Sequence, residues 1–213
     1  MKNNYSYAGV AFIILIFGIW GANELGTRIE KRELVKFEKV PDFNFVNQNN
    51  EAVSNSFYKD KVYVVEFFFT TCPTICPVMT KNTVLLQNKF YGNPNFGIAS
   101  ISINPKHDTP EVMKAYAKDK GATMENWNFL TGDETSIFAF SNEGFKLYAG
   151  VNEEVEGGFE HSGLFALVDK DGYIRSRTVK MGDNENPIKF YDGLDTDAIE
   201  MLKEDIKLLL EEE

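Results

Sequence analysis

Two cysteines stand four residues apart in Thr70-Thr71-Cys72-Pro73-Thr74-Ile75-Cys76-Pro77, and the 213-residue chain has no others. A disulfide framework is excluded, because closing that pair would tie a trivial loop. What remains is thiolate chemistry, either disulfide exchange or soft-metal binding. Disulfide oxidoreductases usually carry two intervening residues; three let both sulfurs face one shared centre and still permit a disulfide. Two thiolates alone are an incomplete metal site. The chain has two histidines, His107 and His161. His161, in Gly157-Gly158-Phe159-Glu160-His161-Ser162-Gly163 ahead of an apolar strand, is the candidate third ligand. Two thiolates and an imidazole suit copper, sulfur favouring Cu(I) and imidazole helping to hold Cu(II), whereas zinc normally wants a fourth ligand. Plainer readings stand beside these. The cysteines could be core residues, His161 structural, and His107 a surface residue of a polar loop. Met79 and Met113 read as packing, and Asp108 as no more than a helix cap.

Positioning these groups requires a strand that ends at Cys72 and a helix that begins near Cys76. Val62–Thr70 is a continuous β-branched and aromatic run, the pattern of a central strand buried on both faces. The helix is predicted to start near Pro77, since proline suits the first helical position, with Val78, Leu85, Leu86 and Phe90 as its apolar face. Free backbone N–H groups at that junction favour anions and so ease thiol ionisation. Further elements are predicted on the same grounds. Phe43–Val46, Phe96–Ile103 and Trp127–Leu130 read as strands. A helix runs from the Asp108-Thr109-Pro110-Glu111 start to Lys120, stopped by Gly121, and another from Asp133 to Tyr148 with Ile137, Phe138 and Phe145 inward. Leu164–Val168, the turn Asp169 to Gly172 and Tyr173–Val179 form a hairpin. A last helix, Thr196 to Leu210, buries Ile199, Leu202, Ile206 and Leu209. The order is that of an α/β domain, a thioredoxin-like mixed sheet flanked by helices. Thioredoxin-type enzymes carry a cis-proline in the loop that holds His161, but no proline lies between Pro110 and Pro187.

Ahead of this domain, Tyr7 to Ala22 is sixteen residues without a charge. Ile19 and Trp20 fall where a signal peptidase wants small residues, so residues 1–25 read as an uncleaved transmembrane anchor helix rather than a cleaved signal. Residues 26–40 read as a mixed-charge linker and 41–213 as the copper-binding domain. Lys2 on one side and Arg28, Lys31, Arg32 and Lys36 on the other leave orientation undecided by charge. Net charge is −10, from 32 acidic and 22 basic residues, and residues 1–60 are balanced. The acidic excess therefore lies in the domain, which makes nucleic acid an unfavourable partner.

Three segments together resemble the Sco/SenC family, copper-binding thioredoxin-like proteins of cytochrome c oxidase assembly. They are Phe67 to Pro77 with its CxxxC, Ser102 to Glu111 with its D-T-P-E helix start, and Glu160-His161-Ser162 through Gly172. The resemblance implies that Cys72, Cys76 and His161 bind copper, as Cu(I), Cu(II) or both, with Asp108 as a nearby supporting residue. It implies delivery of copper to the binuclear copper centre of cytochrome c oxidase subunit II. The alternatives are a thiol-disulfide reductase that keeps the subunit II cysteines reduced through Cys72 and Cys76, or a copper or redox sensor. Other copper carriers are expected partners. A single-pass anchor in a bacterial inner membrane, with the domain facing the periplasm or cell exterior, is the implied location. The chain departs from the family pattern at Thr74 and Glu160, where many members carry Asp, so its local charge and partner surface are its own.

Overall fold

A computed structural model describes residue 9 and residues 11–18, 33–182 and 184–212. The chain divides into two units, Met1–Glu33 and Leu34–Glu213. In the first, residues 11–18 are helical and exposed. The expected anchor falls largely outside the described residues. Among those described, no helix is long and apolar enough to cross a membrane.

The second unit is built on a mixed sheet. Its strands are β1 (Val35–Lys39), β2 (Asn44–Asn47), β3 (Ala52–Ser54), β4 (Val62–Phe68), β5 (Phe96–Ser102) and β6 (Trp127–Thr131). β7 (Ala149–Val151) and β8 (Phe159–His161) pair with each other as a two-stranded sheet, and β9 (Leu164–Val168) and β10 (Tyr173–Ser176) return to the main sheet. β11 (Thr178–Met181) and β12 (Asn184–Pro187) form a separate ribbon, and β13 (Tyr191–Asp192) pairs with β9. The main order is β1-β10-β9-β4-β5-β6-β2-β3. β4, β5 and β6 are parallel, and β9 runs antiparallel beside β4. Every residue of β4 and β5 is buried, as their largely apolar character requires of strands covered on both faces. Alternation along β4 divides the core: the Phe67 ring meets Phe140 and Phe145, whereas the Phe68 ring meets Tyr116 and Phe129.

Among the described residues, four α-helices complete the unit: α1 (Cys76–Phe90), α2 (Pro110–Lys120), α3 (Glu134–Ala139) and α4 (Thr196–Glu211). In α2 the cap is Thr109, whose side chain accepts from Val112 N–H, and Gly121 ends it at φ 73°. Asp108 is therefore not the cap. In α4, Ile199, Leu202, Ile206 and Leu209 are buried as the spacing predicts.

Several expectations need correction. α1 leaves Val78 and Leu85 exposed and buries Asn82, Thr83 and Gln87 instead. Those polar groups are satisfied inside: Asn82 donates to Gly193 O, and Gln87 serves Gly121 O and the N–H groups of Thr123 and Met124. The sheet takes in Val35–Lys39, a stretch read as linker, because β1 pairs with β10. The helix from Asp133 stops being α-helical at Ala139, runs on as a π-turn over Phe140–Phe145 and ends at Lys146 with φ 59°. The second hairpin strand ends at Ser176 rather than Val179.

Candidate metal centre

The seven residues between β4 and α1 carry Cys72, and Cys76 is the first residue of α1. Ile75 provides no side-chain cap and Pro77 has no N–H, so the opening turn lacks its usual partners. The Cys72 sulfur fills that role, accepting from the backbone N–H groups of Thr74 and Cys76. Cys72 N–H in turn donates to Phe69 O at 3.2 Å, which curls the loop back on the strand end. Both cysteines are free and buried.

His161 arrives from the far side of the sequence at the end of β8. Its Nδ1–H donates to Ser162 O at 3.0 Å, which leaves the Nε2 lone pair facing Cys76 Sγ at 3.2 Å. A backbone acceptor on one ring nitrogen is the arrangement that readies the other for a metal. The Phe69 ring holds the imidazole edge-on, with centroids 5.9 Å apart. The two Sγ atoms and one His161 ring nitrogen all lie within 4.8 Å of one another, the expected three residues at one point.

The sulfurs differ in acidity. The Cys76 thiol donating to Cys72 pulls Cys72 down to about 3, helped by His161 and the two backbone N–H groups and opposed by burial. Cys76 is pushed well above the ordinary thiol range by the Cys72 sulfur beside it and by burial. The pair therefore ionises one thiol at a time, Cys72 first. Such a donor set, with two sulfurs and an imidazole of fixed tautomer, fits a soft or borderline ion.

Asp108 is elsewhere. Fully buried, it accepts from Thr70 N–H at 2.9 Å, Thr70 Oγ1 and Ser102 Oγ at 2.5 Å each, and His107 Nδ1 at 2.8 Å. It ties the start of the cysteine loop to the loop after β5, and its hydrogen-bond partners are Thr70, Ser102 and His107 rather than the sulfurs. His107, expected as a surface residue, is half exposed but bonded to that carboxylate. Sequence reasoning missed Thr70, whose two bonds to Asp108 fasten the loop. It also missed Glu66, buried in β4 and held by Ser100 and Thr83. A carboxylate inside an apolar run was the available signal for Glu66.

A model of the SCO1/SenC family matches residues 31–193. The chain belongs to the SCO1/SenC family. A Bacillus subtilis SCO1 protein homolog is 32% identical over 171 residues, covering 79% of this chain and 81% of that protein. A putative copper-binding protein of Stutzerimonas stutzeri is 28% identical over 162 residues, covering 73% and 72%. Among solved structures, a SCO1/SenC family lipoprotein from Bacillus anthracis aligns with TM-score 0.72 at 29% identity, over 84% of this chain and 99% of that one. BsSco, described as a member of the Sco family of cytochrome c oxidase assembly proteins with a disulfide switch, aligns with TM-score 0.69 at 29% identity, over 85% and 98%. The mixed sheet with flanking helices is thus the Sco fold.

Proposed function

We propose that this Sco protein is a copper-delivery factor: Cys72, Cys76 and His161 hold copper as cargo for the binuclear copper centre of cytochrome c oxidase subunit II. The observation that carries this reading is the convergence of two sulfurs and a tautomer-fixed imidazole within 4.8 Å. The printed names of the Stutzerimonas relative and of BsSco, copper-binding and oxidase assembly respectively, support it. Copper meets Cys72 already as the thiolate at neutral pH, so binding has only the Cys76 thiol proton to expel. Residues 1–25 act as the anchor, holding the domain outside the cytoplasmic membrane. Titration with copper tests the site: thiolate-to-copper charge-transfer absorption should grow to one equivalent in the wild type, vanish in Cys72→Ser/Cys76→Ser and weaken sharply in His161→Ala. Equal binding by wild type and the double cysteine variant would overturn it.

A second reading, reduction of the subunit II cysteines, is favoured by the Cys72 thiolate beside a protonated Cys76. Cys72 attacks one sulfur of the partner disulfide, forming a mixed disulfide and releasing one thiolate. Cys76 then gives up its proton and attacks Cys72, releasing the second; the partner gains two electrons and a Cys72–Cys76 disulfide forms. Reduction of an oxidised subunit II peptide that persists in His161→Ala supports this route, and its loss there argues against it.

A further inference from the structure

We infer that the mouth of this site is a docking surface for a basic polypeptide segment that presents a sulfur ligand beside an aliphatic side chain. The inference rests on the copper-delivery reading and names the chemistry of its partner. Cys72 and His161 open into a cavity of about 280 Å³ whose apolar wall includes Ile75, Val155 and Phe159. That volume admits side chains, so the ligand that takes the cargo must project from a narrow segment. Glu156 and Glu160 also line the cavity, and no lysine or arginine does.

The sequence extends this imbalance: no lysine or arginine occurs between Lys146 and Lys170, a stretch with Glu153, Glu154, Glu156 and Glu160, and none between Lys61 and Lys81 around the cysteines. The acidic turn is held in place. Gly157 adopts φ +96°, and a Cβ there would lie 3.1 Å from the Phe69 ring and 3.2 Å from Pro73 Cδ. Only glycine lets the β7–β8 loop sit this closely on the cysteine loop. Asn152 Nδ2 donates to Glu160 Oε2 at 3.1 Å, orienting that carboxylate.

An apolar lip adjoins the site. Exposed Leu194 reaches within 3.3 Å, and Ile75 within 3.8 Å, of where a Cβ on Gly163 would stand. Val78, near the start of α1, is exposed as well. Rim carboxylates of this kind add little affinity singly, but they steer and orient a cationic partner, and the effect is screened by salt. An aliphatic side chain of the partner would cover the lip.

Two fluorescently labelled peptides provide the test. Both contain Cys-Ala-Ala-Ala-Cys-Leu; lysines flank one and glutamates the other. Anisotropy measures their binding to the metal-free full-length chain, kept reduced in nonionic detergent. In about 20 mM salt the lysine peptide should bind about ten-fold more tightly, narrowing to about two-fold near 500 mM. Glu156→Gln/Glu160→Gln should abolish most of this preference, and Glu153→Gln/Glu154→Gln, outside the cavity lining, should retain it. Leu194→Ser should weaken both peptides alike by about three-fold. Equal binding at low salt, a preference that survives Glu156→Gln/Glu160→Gln, or equal loss in both double variants would overturn the proposal. A copper charge-transfer band missing from the same wild-type preparation would instead undo the delivery reading and leave the peptide result standing.

Discussion

At the scale of single residues, the site works by unequal treatment of similar groups. Cys72 receives the Thr74 and Cys76 backbone N–H groups and the Cys76 thiol proton, so it is the thiolate, while Cys76 stays protonated. Iodoacetamide at pH 5 should therefore label one thiol quickly, and peptide mass mapping should place the label on Cys72. Cys76→Ser should slow that labelling at pH 5, since a weaker donor then faces the sulfur. Glu66 shows the opposite treatment: burial raises it to about 7, against hydrogen bonds from Ser100 and Thr83 and the nearby His161. The folded state thus holds a proton that the unfolded chain has released, and stability falls as pH climbs from about 4.5 to about 7. Glu66→Gln removes that dependence. Its stability relative to wild type in urea should be higher at pH 8 than at pH 5 by on the order of 3 kcal/mol.

At the scale of elements, what could be read in the sequence depended on whether the decisive contacts were local. β4, β5 and β6 announce themselves as predominantly apolar, β-branched and aromatic runs, and the Thr109-Pro110 start and Gly121 stop of α2 are chemically explicit. The cysteine loop falls between a legible strand and a legible helix, so its position was foreseeable. α1 was misread in its facing, because its buried side carries the Asn82 and Gln87 amides, which satisfy loop backbone groups from distant segments, and the Thr83 hydroxyl, which donates to Met79 O within the helix. β1 escaped notice because its alternation in Val35–Lys39 is shallow and its partner lies far along the chain. The role of Asp108 was likewise non-local, since its acceptors serve Thr70 from another loop. Asp108→Ala strands the Thr70 N–H and two hydroxyls, and should cost about 2–4 kcal/mol in urea unfolding. Asp108→Asn, which keeps one carbonyl acceptor, should cost roughly half.

Across the whole molecule, the acidic domain has its own boundary, and that boundary lies earlier than residue 41. Leu34 is buried and its carbonyl accepts from Arg175 Nη2 at 3.1 Å, while β1 covers the edge of β10. A fragment beginning at Leu34 should melt as the full-length chain does in its domain transition. One beginning at Pro41 loses β1 and leaves an open sheet edge, and its melting temperature should drop by at least about 5 °C.

Among the described residues, the β7–β8 pair that carries His161 shares no ladder hydrogen bond with the main sheet, whereas both cysteines are tied to β4 and α1. The grip and the latch of the cargo therefore stand on different foundations. An ion held by all three ligands ties the hairpin to the domain, and withdrawal of the hairpin alone leaves it on two sulfurs, open to an incoming ligand. Copper should accordingly slow amide hydrogen exchange most in Ala149–His161 and least in β4; uniform slowing over both would show a single rigid cradle instead.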